Sequence, residues 1–527
     1  MYFTLDGESI KNILFNSDAL YIPTLYKDLF VDGYHITGWT LPGSPNFFPD
    51  IFLFFVIMFL TGKTVLAVYF YALIQFLIIL LLFKYLIRIV IPEYSYYPLV
   101  VSNMLISLFF FASFIDRELY ITFHLLSNTY HLGAFVNVLI ALVIAFKYIK
   151  KERLVHLVLF FIIGLVAVIS DRLFIVMFCV PFTGALFVFA LKKKNYKKLL
   201  YLFGLMAAYV ILGFILFDRI THNKVITLAK ASFNFSIEGM SIAWRNFASG
   251  IAPYLSSITT FTIIIIISGV ALLLALILFF RSVKKLLKGL EIDSEEGLRN
   301  FLNLFFIIFM VVVFLSPILT GSFQGFDTIR YNIFVLYFGL LFIGPLFVML
   351  FNERPFAKVV ISSLSYVFVA LSIVYIVQAN VDKAHGNGIK SYIGYYPEVA
   401  KCLDAMDEKY ELKQGISTYW FGKVGTMFSK RNVRLYTAYD ENLVPYPHVG
   451  NINWYYESGY GKYDPPIFNF VLLKLPIDQQ TVLKTIEEKT GKILFTEEYG
   501  EFLFIKTNDF KYERDNYFPI PILTQNP

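Results

Sequence analysis

Apolar runs of about 20 residues recur along the first 380 positions, and polar residues collect in the short breaks between them. A helix of that length covers roughly 30 Å, the thickness of the hydrocarbon core of a bilayer. The pattern predicts spanning helices near residues 64–83, 97–115, 131–149, 153–170, 172–191, 199–217, 258–280, 301–320, 331–351 and 357–379. A further apolar run at 51–61, IFLFFVIMFLT, is short for a span and reads as interfacial or re-entrant. The pattern changes from about Val381. GISTYW, NVRLYTAY, FNFVLLKLP, KILFTEEY and EFLFIKT read as short strands, with helical stretches PEVAKCLDAMDEKY and IDQQTVLKTIEEKTG among them. The expected fold is a polytopic α-helical membrane protein of about 10–11 spanning helices. Its membrane domain covers 1–380, with a first loop at 1–50 and the interfacial segment 51–61, and a small α/β domain follows over 381–527.

Composition agrees. Hydrophobic residues make up 57% of the 527 positions and charged residues 16%, against nearer a quarter charged in soluble domains. Met1–Ser17 is polar and has no apolar core of the signal-peptide kind. The cysteines, Cys179 in an apolar run and Cys402 in the polar tail, suggest neither a disulfide framework nor a metal site. The net charge of +7 fits loops held at an anionic leaflet. No basic patch interleaved with aromatics points to nucleic acid. The 58 Phe and 36 Tyr are expected mainly on lipid-facing surfaces and in interface belts.

Charge sets the orientation. The segments KYLIR (84–88), KYIKKER (147–153), KKKNYKK (192–198), RSVKKLLKGLEIDSEEGLRN (281–300) and NERPFAK (352–358) alternate onto one side and hold 18 Lys and Arg, against eight in the opposite loops. The basic set is expected in the cytoplasm. The tail from 380 then lies outside. If 51–61 does not span, so does the acidic, turn-rich segment SDALYIPTLYKDLFVDGYHITGWTLPGSPNFFPD, with Asp18, Asp28, Asp32 and Asp50.

Candidate chemistry gathers on that outer side. FIDRELYITFHLLSNTYHLG (114–133) carries Asp116, Glu118, His124 and His131; SDRLF (170–174) and GFDTIRYNIF (325–334) follow. A carboxylate there can act as a general base or ligate a hard cation, and the D-x-E spacing of Asp116 and Glu118 aims both at one ion if the loop is extended. Arg330, with Tyr331 beside it, stands at a helix mouth where a guanidinium can grip a phosphate. Arg245 and Trp244 belong to a segment at 218–257 expected to close over a lipid chain. Plainer readings stand beside these. Asp18 can cap a short helix, Asp116 and Glu118 can be a solvated loop, and His124 and His131 can be interfacial packing. Asp171 and Arg172 suggest a local ion pair, and Arg330 can snorkel to headgroups.

SDALYIP followed by NFFPDIFLFF, HLGAF opening a helix at 131–135, SDRLF after an external turn, and RYNIFVLYFG at a late helix together resemble bacterial integral membrane glycosyltransferases of the GT-C fold. The likeness is to the dolichyl-phosphate-mannose and polyprenyl-phosphate-arabinose transferase group. GISTYWFGKV and HVGNINWYY look like the external domain that some members carry. The resemblance implies inverting transfer of a sugar from a polyprenyl phosphate to an extracytoplasmic glycan, lipid or protein at a bacterial cytoplasmic membrane. It makes Asp18 the catalytic base, and His124, His131, Arg330, Tyr331 and Arg245 substrate contacts. Asp116 and Glu118 would lie near an acidic motif where some members bind a divalent cation, Mg or Mn. The family usually has a spanning helix before the first loop, which leads us to expect one upstream of Met1. Tyr419, Trp420, His448 and Trp454 are candidate acceptor contacts. Two other classes stay open: a transporter or lipid flippase, and a catalytically inactive relative. Ionisable groups concentrated at one face rather than within helices argue against the transporter.

Overall fold

The computed structural model describes residues 14–92, 100–105, 131–190, 196–222, 226–229, 234–255, 260–287, 290–351, 363, 367, 394–456, 466–513 and 519–521. The chain first makes a short helix, α1 (Tyr21–Lys27), a strand, β1 (Trp39–Leu41), and a ten-residue apolar helix, α2 (Phe52–Thr61). Gly62 ends α2 in the left-handed region (φ 60°), where the absence of a Cβ removes the penalty. The chain turns there into α3 (Thr64–Val90), against which α2 packs. Then follow α4 (Leu132–Lys151), α5 (Leu154–Ser170), and α6 (Val180–Ala190), entered through a wide turn at Ile175–Cys179. Next come α7 (Tyr196–His222), the strand β2 (Thr227–Leu228), α8 (Ile237–Leu255), α9 (Thr260–Leu287), α10 (Glu295–Leu319) and α11 (Ile333–Phe351).

Among the described residues six helices (α3, α4, α7, α9, α10 and α11) are long and apolar enough to cross a bilayer. The stretches expected to span at 153–170 and 172–191 form the shorter apolar helices Leu154–Ser170 and Ile175–Ala190. The run at 51–61 is the short helix α2. Of the stretch at 97–115 only 100–105 is described, and 357–379 lies outside the described residues apart from 363 and 367.

α4 is buried on nearly all sides and forms the hub of the helical core. Many phenylalanines expected to face lipid pack between helices instead: Phe135, Phe305, Phe309 and Phe338 meet with ring centroids 4.9–6.3 Å apart. The physical reason is that lipid is as apolar as the side chains. Helices in it associate through close van der Waals and ring–edge contact rather than by escape from water.

The basic loops converge at one end of this core. Lys198 bridges to Glu152 (2.6 Å) and Asp293 (2.9 Å), and the Lys150 ammonium donates to the Ile89 carbonyl (2.7 Å). Four of the five basic segments thus share an end, as their alternation in sequence required.

At the other end a second core joins the opening segment to the tail. The tail comprises α12 (Glu398–Lys409), β3 (Gln414–Thr418), α13 (Tyr419–Phe428), β4 (Arg434–Ala438), β5 (Gly450–Asn451), β6 (Phe468–Lys474), α14 (Gln479–Thr490), β7 (Ile493–Tyr499), β8 (Phe502–Tyr512) and β9 (Pro519–Pro521). Strand order is β4-β3-β6-β8-β7, with β9 also on β8; β4, β3 and β6 run parallel and the β6-β8-β7 pairings are antiparallel. GISTYW stops being a strand at Thr418, and Tyr419 opens α13. A separate small sheet, β2-β1-β5, joins three distant parts of the chain: β1 pairs in parallel with β2 and antiparallel with β5. Leu14–Ala72 and Val399–Tyr512 contribute to one apolar cluster, so the first loop is part of the C-terminal domain's core.

Candidate functional site

The site begins at the N-terminus of α4. His131 stands just before the helix in the left-handed region (φ 61°), unusual for a residue with a side chain. Its Nδ1 lies 2.6 Å from Oδ2 of Asp171, which sits at the end of α5. The other Asp171 oxygen accepts from the Ser44 hydroxyl (2.8 Å) and from the Leu173 N–H (2.9 Å). Burial is the largest influence on Asp171 and pushes its carboxyl up; His131 and these donors together outweigh it and hold the carboxyl below its ordinary value. Asp171 therefore pairs with His131. The local pair with Arg172 does not form, because Arg172 donates instead to the Gly43 carbonyl (3.1 Å) and lies over the Phe217 ring (4.7 Å).

The SPNFFPD segment is laced onto the same place. Asn46, also left-handed (φ 56°), donates its N–H to the Ser170 carbonyl (2.9 Å). The Ser170 hydroxyl bonds both the N–H and the carbonyl of Phe48 (2.8 Å each), and Asn137 of α4 donates to that carbonyl at 3.0 Å. Asp50 is buried and accepts from Tyr71 and from Gln75 Nε2 (3.2 Å), both on α3. Its carboxyl lies directly over Gly133 in the first turn of α4. A Cβ there would fall 2.1 Å from Asp50 Oδ2, so a glycine is what allows a carboxylate to reach the positive end of that helix.

Asp18 lies one turn before Tyr21, whose N–H reaches the Asp18 carbonyl (3.5 Å). The Tyr21 hydroxyl donates to the Pro45 carbonyl (2.8 Å) and accepts from Asn46 (3.3 Å). Asp18 is not the cap of α1; Asn16 takes the Ala19 N–H (2.8 Å). Its Oδ1 accepts from the hydroxyl of Tyr419 at the start of α13 (2.5 Å). Behind Tyr419 the buried Lys423 donates to the Ser17 carbonyl (3.1 Å) and the Tyr419 hydroxyl (3.4 Å). Burial pulls the Lys423 ammonium down to about 7, against the attraction of Asp18. His448, beside the Tyr419 ring, is held below the usual imidazole range by burial and by Lys423.

Tyr331 packs on the His131 ring (centroids 5.1 Å), and the Arg330 guanidinium lies 5.4 Å from the Tyr331 ring. Asp18, His131, Arg330 and Tyr331 are thus linked at the end of the core opposite the basic loops. Arg245 stands exposed on α8; its neighbour Asn246 donates to the Phe323 and Gln324 carbonyls (3.2 Å each), tying α8 to the chain ahead of Arg330. Asp116, Glu118 and His124 lie outside the described residues. Among the described residues no group of three or more His, Cys, Asp or Glu is placed to hold a metal ion. Trp454 is no acceptor contact: it is buried, donating to Asp28 (2.8 Å).

Asp50, Tyr21, Ser44, Tyr71 and Lys423 were not singled out as site residues from sequence. Only Asp50 carried a signal, as a carboxylate beside an interfacial run; the others acquire meaning from partners distant in the chain. The chain matches none of the protein families with which it was compared, and no curated protein matches its sequence.

Proposed function

We propose that this protein is a membrane glycosyltransferase of the GT-C type, moving a sugar from a polyprenyl-phosphate donor to an acceptor outside a bacterial cytoplasmic membrane. The observation that carries the reading is the contiguous path Asp18–Tyr21–Asn46–Ser44–Asp171–His131–Tyr331–Arg330, gathered at the end away from the basic loops. It joins a carboxylate, an imidazole–carboxylate pair and a guanidinium at one end of the helical core, and in this reading that end meets the lipid headgroups.

The chemistry follows from those groups. The acceptor oxygen attacks the anomeric carbon of the donor sugar while its bond to the phosphate oxygen breaks, inverting that centre. The acceptor's proton passes to the Asp18 carboxylate, whose other oxygen is held by Tyr419. The polyprenyl phosphate leaves with the bonding pair, and Arg330, with His131 nearby, offsets its charge. Exposed apolar residues of α8, Ile237, Ile242 and Trp244 among them, suit a helix lying along the lipid tail, with Arg245 at the headgroup level. The likeness also implies a divalent cation in some relatives. The carboxylates named for it, Asp116 and Glu118, lie outside the described residues, and no step here runs through a metal.

The test is transfer from a radiolabelled polyprenyl-phosphate sugar in membranes containing the protein. Asp18→Asn is expected to lower transfer by about 100-fold or more, the usual worth of a positioned base. Unchanged transfer removes Asp18 from the chemistry, and substrate counterflow in proteoliposomes would replace the reading with a transporter.

A further inference from the structure

We propose that the aromatic face of the C-terminal domain beside Asp18 binds a saccharide, and that this saccharide is the acceptor; the acceptor role rests on the glycosyl-transfer reading, the binding does not. Tyr419 forms the floor. Trp420 (5.2 Å), Tyr446 (5.5 Å) and His448 (5.8 Å) surround it, Tyr446 stacks on His448 (5.2 Å, 21°), and Tyr439 extends the face from Tyr446 (5.3 Å). Trp420 is 54% exposed and Tyr439 67%, while Tyr419 beneath them is buried, as are Trp454, Tyr436 and Tyr455 elsewhere in the domain. Such rings usually go inside when nothing else covers them.

The chemistry of the face selects its occupant. A pyranose presents one side of C–H bonds that lies flat on an aromatic ring, and a rim of hydroxyls that needs both donors and acceptors. This face offers exposed rings at Trp420 and Tyr439, half-buried rings at Tyr446 and His448, the Asp18 carboxylate with one oxygen held by Tyr419, and an imidazole whose hold on a proton is weakened by burial and by Lys423. Lys423 lies buried beneath the Tyr419 ring (4.6 Å to its centroid) and holds that floor in place without presenting its charge. A half-buried carboxylate beside these rings, with the Lys423 ammonium buried beneath them, suits a neutral sugar better than an anionic peptide or a phosphate. An acceptor hydroxyl bound on this floor would also lie next to the oxygen proposed to take its proton.

The test uses full-length protein in lipid nanodiscs, titrated by calorimetry with short linear oligosaccharides of glucose, mannose, galactose and N-acetylglucosamine. At least one is expected to bind saturably, with affinity reduced about tenfold or more by Trp420→Ala and by Tyr439→Ala, the loss of one ring contact. Both side chains are exposed, and an unchanged unfolding temperature confirms that the variants fold. No binding by any probe, or equal binding by the variants, overturns the inference; so does a Trp420 that responds to lipid and to no sugar. Saccharide binding by a protein that transfers nothing keeps this site and removes the reaction. Transfer that is insensitive to both ring substitutions keeps the reaction and removes this site.

Discussion

Lys423 has its ammonium drawn into the seam between Ser17, Asp18 and Tyr419, and that placement has a pH signature. The folded-state value near 7 lies below the unfolded value of about 10.4. Between those limits the unfolded chain binds a proton that the folded chain does not, so stability rises with pH there, by at most about 1.4 kcal/mol per pH unit. Below pH 7 both states hold the proton and the burial cost is fully felt. Unfolding midpoints followed from pH 7 to about 10 should climb more steeply for the wild type than for Lys423→Met; parallel profiles would contradict the seam. Arg434 makes the opposite kind of contact. It pairs with Asp28 (3.3 Å) and Asp32, and Asp28 also takes Trp454 (2.8 Å) and Asn451 (3.4 Å). Arg434→Met leaves a fully buried carboxylate without its cation and should cost about 3 kcal/mol, read as a lower unfolding temperature. At this scale the sequence announced the residues that sit in recognisable strings, Asp18, His131 and Arg330 among them. It announced none of their partners, because Tyr419 is 401 positions from Asp18 and Asp171 is 40 from His131.

Among the helices, α4 decides most. Its first turn receives Asp50 and is preceded by His131, so its position relative to α5 and the SPNFFPD segment fixes the candidate site. Gly133→Ala places a methyl into the Asp50 carboxyl (2.1 Å to Oδ2) and should destabilise the protein by about 2 kcal/mol while lowering any transfer activity. Gly204 on α7 and Gly269 on α9 have nothing within 4 Å of a built Cβ. Alanine at either should be neutral or stabilising by up to about 1 kcal/mol. Thermal unfolding in detergent of all three variants checks the contrast, and equal effects would remove the special role of the α4 terminus. The periodicity and length of α3, α4, α7, α9, α10 and α11 were readable along the chain, as were β3, β4, β6, β7 and β8 of the tail, though not the short β5 and β9. Less readable was which face of each helix meets another helix: with apolar residues all round, Phe135 and Phe338 carry no mark that separates them from residues facing lipid.

For the molecule as a whole, the opening segment and the tail share one core, so neither is expected to fold without the other. A fragment beginning at residue 394 lacks Trp39, which packs against Trp454 (5.4 Å), and lacks Asp28 and strand β1. Its near-ultraviolet dichroism should be weak, and adding residues 14–57 should restore it. Orientation has its own check. Cys179 and Cys402 are buried, so an impermeant thiol reagent should label a cysteine placed at Trp420 in intact cells and one placed at Lys151 only after permeabilisation. The reverse result would invert the proposed topology.

Sequence alone determined that long apolar helices dominate the first part of the chain, where six of them lie, where the main strands of the tail form, and that four basic segments share one end. These depend on local quantities: run length against bilayer thickness, period against backbone geometry, and charge against a membrane's asymmetry. Tertiary structure alone decided that Asp171 turns to His131 rather than to Arg172, that Asp18 is held by the far end of the chain, and that Trp454 is core while Trp420 is surface. Each is a choice among partners, and a partner is set by where the backbone returns in space.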